Sequence, residues 1–455
     1  MRKIIQYMMM ALIAVVLASC ANDISEESTP TVKSNIRFVV DDFPMFEKPS
    51  TRTIGEEDKG KTAWAVGDEI CVKLESKELG TQTATLKYNG VKFELQDGNS
   101  LGYLEDEPVT AYAYYAPNRR WRNGSLDFKD IYGNPNGTAE FLEATCTVHY
   151  GDNNYVDISF ANATRNYSRL RIATIPKTEI NVDAKDFSPT DNPNLLYMKY
   201  TLTSDEKGNA YLYGTFYNNS IVTVKYRGAT LKTYKFSKET ENAKSYVLDA
   251  TVISANSAEE IYSAIKQEIA DGKTAIRLNL ASDAGDNEFN AIREAFENVR
   301  GYGTIDLTLI GCKEIPVNGL YHIMALKSIT LPDVTKIRMD ALSSCLYLQE
   351  ICAPNVSAID EYAFGKCRYL RKVTLGKLTD VRGEANSRSG IFDDINDLYP
   401  DIDLYLPKNQ EVMEFDENSK QYIWKPTGES YFASPDYYDN GIFLGYQFHS
   451  VKSWE

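Results

Sequence analysis

The chain has 455 residues, with 64 Asp and Glu against 49 Lys and Arg and a formal net charge of −15. An acidic excess of this size argues against nucleic acid and against adhesion to bare anionic lipid as partners. The length is enough for two or three domains.

The chain begins Met1-Arg2-Lys3, runs apolar from about Met8 to Leu17, and reads Leu17-Ala18-Ser19-Cys20. A basic start, a short apolar core and small residues before a break mark 1–19 as a secretory signal peptide, too short for a membrane span. The Cys at the break resembles the lipobox of bacterial lipoproteins. That resemblance implies cleavage before Cys20 and acylation, palmitate included, of its thiol and new amino group. It also implies a lipid anchor in the outer membrane, with the bulk of the chain at the cell surface. Residues 20–34 are polar, acidic and free of aromatics, which reads as a flexible tether. Their acidic run resembles the surface-export signal of lipoproteins in Bacteroidetes-type bacteria. No later stretch is long and apolar enough to span a bilayer.

Strand signals start at Ile36-Arg37-Phe38-Val39-Val40. Gly67-Asp68 turns the chain before Ile70, Val72 and Leu74, which alternate inward. Asn89-Gly90, between Leu86 and Tyr88 on one side and Val91, Phe93 and Leu95 on the other, predicts a hairpin with a tight type I′ turn. Runs beginning at Val109, Tyr155 and Ser168 are short, β-branched or aromatic, and separated by Gly, Asn, Asp and Pro. This is the pattern of an antiparallel sandwich. A second set of strands starts at Leu195, Ser220 and Ser245. The polar, Pro-marked stretch 176–193 favours a boundary between 35–178, a first β-sandwich domain, and 179–255, a second β-rich domain or the completion of the sandwich. Trp64, Gly67-Asp68, Ile70 and Val72, then the run 111–117, resemble the fimbrillin-like (Mfa-like) lipoproteins of gut and oral Bacteroidetes, and 155–176 resembles their later core strands. The resemblance spans roughly 35–250. It implies all-β sandwich domains of fimbrillin or transthyretin type, like those of fimbrial subunits and adhesins, some of which polymerise by exchanging a strand. No donor segment is identified here. Arg52, between Thr51 and Thr53, is either a processing point or a loop Arg.

In the distal half, Ser257 and Glu260 predict a capping box. Ile261, Ile265 and Ile269 then make one apolar side, and Asp271-Gly272 ends the helix. Asp286 is expected to cap a second helix with a stripe of Phe289, Ile292, Phe296 and Val299. Ile276, Leu278 and Leu280, then Ile305, Leu307 and Leu309, alternate as strands. From Leu326 the sequence nearly falls on itself every 22 residues. Leu326 matches Leu348 and Leu370, and Ile329 matches Ile351 and Val373. Pro332 matches Pro354, Leu342 matches Phe364, and Cys345 matches Cys367. Leu307, Leu309, Cys312, Ile315, Leu320 and Ile323 carry the register one unit back.

A unit with one short strand and one turn of helix cannot bury its apolar edge alone, whereas stacked neighbours can, closed by atypical terminal units. Ile329, Ile351 and Val373 should form one column, Leu331, Ala353 and Leu375 a second, and Cys345 and Cys367 another. The stretches from Leu331 and from Ala353 closely resemble the leucine-rich repeats of BspA-like surface proteins, over about 300–410 and from 274 at the earliest. Leu342 stands where Phe is usual, and an insertion at 382–394 breaks the period. Phe392, Ile395 and Leu398 resume it, and 402–407 is expected as the last ladder strand. The resemblance implies a C-terminal α/β leucine-rich-repeat solenoid over 256–410 with a helical N-terminal cap. It further implies binding to host matrix proteins, host cells or other microbes. Residues 411–455 read as an aromatic C-terminal cap.

The three His residues, His149, His322 and His449, lie far apart, and none sits in a His-Glu-x-x-His pattern, so neither a zinc protease site nor another metal site is expected. No Gly-x-Ser-x-Gly elbow or phosphate loop is present, and the acidic run 282–288 lacks the spacing of a calcium loop. The six Cys after Cys20 match no Cys-x-x-Cys pair. Most read as buried apolar fillers, with a Cys345–Cys367 disulfide left open. Cys71 and Cys352 are lone candidates for Cys–His catalysis. No catalytic residue, enzyme activity or cofactor is assigned. What remains is recognition. The outward positions Lys327, Ser328, Thr330, Gln349, Glu350, Arg371, Lys372 and Thr374 form a candidate binding face. Tyr422, Trp424 and Tyr437 in the tail are candidate aromatic ligand contacts, or simply part of the cap. The leading expectation is a cell-surface lipoprotein acting as an adhesin for a host or microbial surface protein. A glycan-binding lipoprotein in polysaccharide capture and a fimbrial subunit are the alternatives.

Overall fold

The computed structural model describes residues 32–33, 36–47, 60–96, 101–104, 107–117, 120–122, 125–127, 136–150, 154–161, 165–190, 194, 196–382, 390–393, 401–416, 421–424, 430–433 and 441–454. Cys20, Arg52 and Tyr437 lie outside the described residues.

Glu69–Ser76 places Ile70, Val72 and Leu74 inward, as their alternation predicts. It pairs antiparallel with Gly80–Tyr88 and with Thr110–Tyr115 in a five-stranded sheet. A three-stranded sheet sets Tyr155–Ser159 beside Thr145–His149. Its third strand, Arg37–Val40, runs parallel rather than antiparallel. Both sheets contribute to one core, with Val72, Ala113, Val156 and Ile158 among its members. The Asn89-Gly90 hairpin forms, but without the expected type I′ turn. Tyr88 pairs with Phe93, which leaves 89–92 as the loop. Asn89 Oδ1 accepts from the N–H groups of Val91 and Lys92, both at 2.9 Å, and Gly90 takes φ +101°. The Asn side chain closes the loop on its own backbone, a competing turn chemistry.

The polar, Pro-marked stretch 176–193 holds a strand. Glu179–Pro189 pairs with Tyr197–Thr203 on one side and Asn209–Tyr226 on the other. Ile180, Val182 and Ala184 point into the core, while Asn181 and Lys185 are exposed. Pro189 is the last strand residue, so it ends the ladder instead of interrupting it. The same sheet takes Ser168–Ala173, from before residue 178, and Ser245–Asp249. Ala229–Lys235 folds back on Asn209–Tyr226 as a long hairpin. Together these strands share a core running from Leu170 to Val252.

Two α-helices occur among the described residues, α1 (Ala258–Ala270) and α2 (Asp286–Phe296). Ser257 Oγ caps α1 by accepting from Glu260 N at 3.3 Å. The return bond of the box goes one residue further out, from Asn256 N to Glu260 at 2.8 Å. Asp286 is not the cap of α2 but its first helical residue. Gly285 precedes it, and its N–H donates to Glu288 at 2.9 Å.

An eight-stranded sheet among the described residues starts with Ile253–Ser254 ahead of α1 and Ala275–Asn279 between the helices, and continues beyond them. Leu307, Ile329, Ile351, Val373, Leu404 and Val451 are paired in register, and each is at most 3% exposed. A second parallel ladder aligns Ile315, Ile337, Ile359 and Val381. Among the described residues the helical turn expected in each unit is absent, so there the α part of the α/β expectation is confined to α1 and α2. The physical reason is local. Asn318, Asp340 and Tyr362 have φ of 53–57°, and His322, Ser344 and Lys366 have φ of 60–63°. Two left-handed residues four apart cannot lie in a right-handed helix. Turn amides donate instead to the following unit, as from Leu320 N to Ala341 O at 2.7 Å and from Leu342 N to Ala363 O at 2.8 Å. Stacking thus supplies the backbone partners that a helix would find within itself.

Cys345 and Cys367 stack in the core as free thiols. Their Sγ atoms donate to Leu320 O at 3.1 Å and Leu342 O at 3.2 Å, in the unit before. Burial pushes the Cys345 thiol up to about 12 and Cys367 well above its ordinary value. Iodoacetamide at mildly alkaline pH should therefore label neither in the folded chain and both after denaturation, because the thiolate is the reactive form. Peptide mass spectrometry reads this directly, and labelling of folded Cys345 would mean that the column opens locally.

The tail closes the stack. Ser450–Ser453 adds a parallel strand beside Asp403–Leu406, so the ladder does not end at 402–407 as expected. Tyr431, Phe443, Tyr446 and Phe448 join the core. Gln421–Trp424 pairs with Met413–Asp416, but the side chains of Tyr422 and Trp424 lie outside what is described. No helix among the described residues is long and apolar enough to cross a membrane.

Candidate functional site

Buried ladder residues alternate with outward ones, so the outward ones fall into two columns. The first runs Asp306, Ser328, Glu350, Lys372 and Asp403. The second runs Arg277, Thr308, Thr330, Cys352, Thr374, Tyr405 and Lys452. Neighbours pair along the first column, Ser328 Oγ donating to Asp306 at 2.6 Å and Lys372 Nζ to Glu350 at 2.5 Å. Burial opposes the Lys372 charge, but the Glu350 carboxylate outweighs it and holds the ammonium above its ordinary value. Cys352, on the floor between them, is pushed up to about 11 by burial and then by Glu350.

The long hairpin leans over this face and makes a wall. Its tip is tied down at several points. Arg227 forms an ion pair with Asp333, whose side chain is 1% exposed. The same carboxylate accepts from Gly311 N at 2.9 Å and has Lys313 Nζ at 3.7 Å. Asn355 Nδ2 bridges Arg227 O at 3.1 Å and Pro332 O at 2.7 Å. Gly228 takes φ +84° against Pro354, a turn conformation that favours glycine. Further along, Arg277 Nε donates to Leu231 O at 3.0 Å.

Between wall and floor lies a groove of about 960 Å³. Seven of the eight outward residues singled out from the repeat line it, namely Lys327, Ser328, Thr330, Gln349, Glu350, Lys372 and Thr374. Arg371 is exposed but does not line it, and its Nη1 donates to Leu370 O at 2.9 Å. The repeat pattern carries no hint of the wall residues Lys225, Thr230 and Thr233, nor of Trp454 at the far end, whereas Tyr405 sits in the strand expected as the last of the ladder. Tyr405 lies between Lys372 and Lys452, each 5.8 Å from its ring centroid. Trp454 fixes its indole by donating to Leu375 O at 2.9 Å and stays 36% exposed. Alternation around buried Val451 in the last strand was the available signal for it. A smaller hollow of about 530 Å³ lies on the other side of the hairpin, where Asp249 and Glu268 offset Lys273 and Arg277.

Residues 290–391 match the BspA type leucine rich repeat region, in six copies. No curated protein matches the chain. Two crystal structures of mutant forms of the shaft pilin spaA from Lactobacillus rhamnosus GG align with it at 11% identity, covering 48% of this chain and 96% of theirs. Their TM-scores are 0.18 and 0.17, too low to establish a shared fold.

Proposed function

We propose that the chain is a cell-surface lipoprotein acting as an adhesin, with the groove as its ligand seat. On this reading 1–19 is a signal peptide, 20–34 a tether from the acylated Cys20 to the outer membrane, and 35–255 the β-sandwich region. Residues 256–410 form a leucine-rich-repeat solenoid with a helical cap, and 411–455 close it. The BspA-type repeat match supports surface presentation. The observation that carries the reading is the groove: a single concave face gathers outward residues of successive repeats under a wall supplied by another part of the chain. Its carboxylates Asp306 and Glu350 are engaged by Ser328 and Lys372, which favours binding over catalysis. The partner is a host or microbial surface protein or glycan.

The test is occlusion. Thr330→Arg with Thr374→Arg in the full-length chain fills the groove from outward positions and leaves the core untouched. Bacteria displaying this variant should adhere to immobilised host matrix proteins and to partner microbes no better than bacteria lacking the protein. Adhesion equal to wild type would overturn the groove as the binding seat.

A further inference from the structure

We infer that the groove is a carbohydrate site, that its occupant is a neutral oligosaccharide, and that Tyr405 and Trp454 form the stacking end. This rests on the groove being the ligand seat and names the chemistry it takes. The charges around the groove come close to balance, since Glu350 is paired with Lys372 and Lys225 with Asp183, which leaves Asp306, hydrogen-bonded by Ser328, against Lys327. Such an array offers many donors and acceptors without the unbalanced field that an ionic ligand requires. Hydroxyls line both sides, Thr330 and Thr374 on the floor and Thr230 and Thr233 on the wall. Recessed apolar sockets, in which protein partners seat their anchoring side chains, are not what these residues build. The substantial apolar surface is instead two aromatic rings at one end. The indole N–H of Trp454 is already spent on Leu375 O, which sets the plane of the ring and leaves its carbon surface for contact.

Flat carbon rings beside hydroxyls and charged hydrogen-bonding groups match a pyranose. Its C–H face packs on an aromatic ring, and its hydroxyls bond to Lys, Glu and Thr. The volume, about 960 Å³, lies at the upper end of ligand pockets and holds several sugar units. The neighbouring hollow at Arg277 is a poorer seat, since it is smaller, about 530 Å³, and Tyr234 is the one aromatic ring in its lining. The ligand end is set by Tyr405 and Trp454.

The experiment screens the full-length chain on an array of neutral host, plant and microbial oligosaccharides, with oligogalacturonates as anionic controls, and follows hits by calorimetry. At least one neutral oligosaccharide should bind with a dissociation constant of about 1 mM or tighter. Tyr405→Ala should weaken it about tenfold, the size of one lost aromatic contact. Thr374→Arg, which fills the groove without removing an aromatic ring, should abolish it. Binding of no neutral oligosaccharide, binding of the anionic controls alone, or a hit indifferent to both variants would each overturn the inference. If the Arg variants abolish cell adhesion while no oligosaccharide binds, the groove stands as an adhesive seat and only its carbohydrate assignment falls.

Discussion

Replacing Ile351 with Asp is expected to unfold the distal half of the chain, whereas Thr330→Ala, beside the same column, leaves it folded. Ile351 has no exposed surface and sits in register between Ile329 and Val373. Truncation to Ala removes buried methylenes and leaves a cavity, at about 2–5 kcal/mol. A domain holds about 5–15 kcal/mol in all, so the Ala variant should remain folded but weakened. Asp adds a carboxyl group with no partner in an apolar column, and that further penalty exceeds what remains. In a stack whose units touch only their neighbours, a failure at a central unit removes both of its interfaces. Thr330 is half-buried and points outward, and such surface changes usually stay within about 0.5 kcal/mol. Urea unfolding followed by circular dichroism, with limited proteolysis mapping cuts within 300–382, separates the three variants. Equal midpoints for Ile351→Asp and Thr330→Ala would remove the apolar columns as the source of stability.

The columns could be read from residue order because side-chain size and polarity recur with the period, and burial acts on those properties. The return limb could not. Its two left-handed residues per unit fall on Asn318, Asp340 and Tyr362 and on His322, Ser344 and Lys366. Asn, Asp and His among them belong to the types enriched in that conformation, but Tyr362, Ser344 and Lys366 do not, and no Gly occupies the six positions. The strand Glu179–Pro189 was hidden by composition, since its solvent-facing Asn181 and Lys185 and its flanking prolines look like a loop when alternation is not weighed. The groove divides in the same way. Its floor follows from the repeat, because outward positions follow from buried ones. Its wall depends on a hairpin remote in sequence, held by contacts such as Arg227 with Asp333 that neither local pattern contains. Trp454 is hard to read for a related reason: aromatic density peaks over 422–438, while the ring that reaches the groove directly follows the sparse strand Ser450–Ser453.

Asp333→Ala is expected to release the hairpin wall without dissolving the ladder beneath it. The carboxylate of Asp333 serves Arg227, Gly311 N–H and Lys313 at once and is almost fully covered. Its removal strands the Gly311 amide and frees an Arg227 side chain that is 53% exposed and can return to water. The lost charge-assisted bonds set a cost of about 1–3 kcal/mol, trimmed by solvent screening on the Arg227 side. The reverse change differs in kind. Arg227→Ala leaves the covered carboxylate with only Gly311 N–H and the more distant Lys313, so it should cost at least as much although it removes an exposed residue. A cycle of Arg227→Ala with Asp333→Asn should therefore show a coupling of about 1–2 kcal/mol. Hydrogen exchange in 225–231 should accelerate about tenfold or more in either single variant, while amides of 326–330 and 350–353 stay protected. If the two substitutions are instead additive, the tip is held by Asn355, which donates to Arg227 O and Pro332 O. Asn355→Ala would then be the variant that opens the groove.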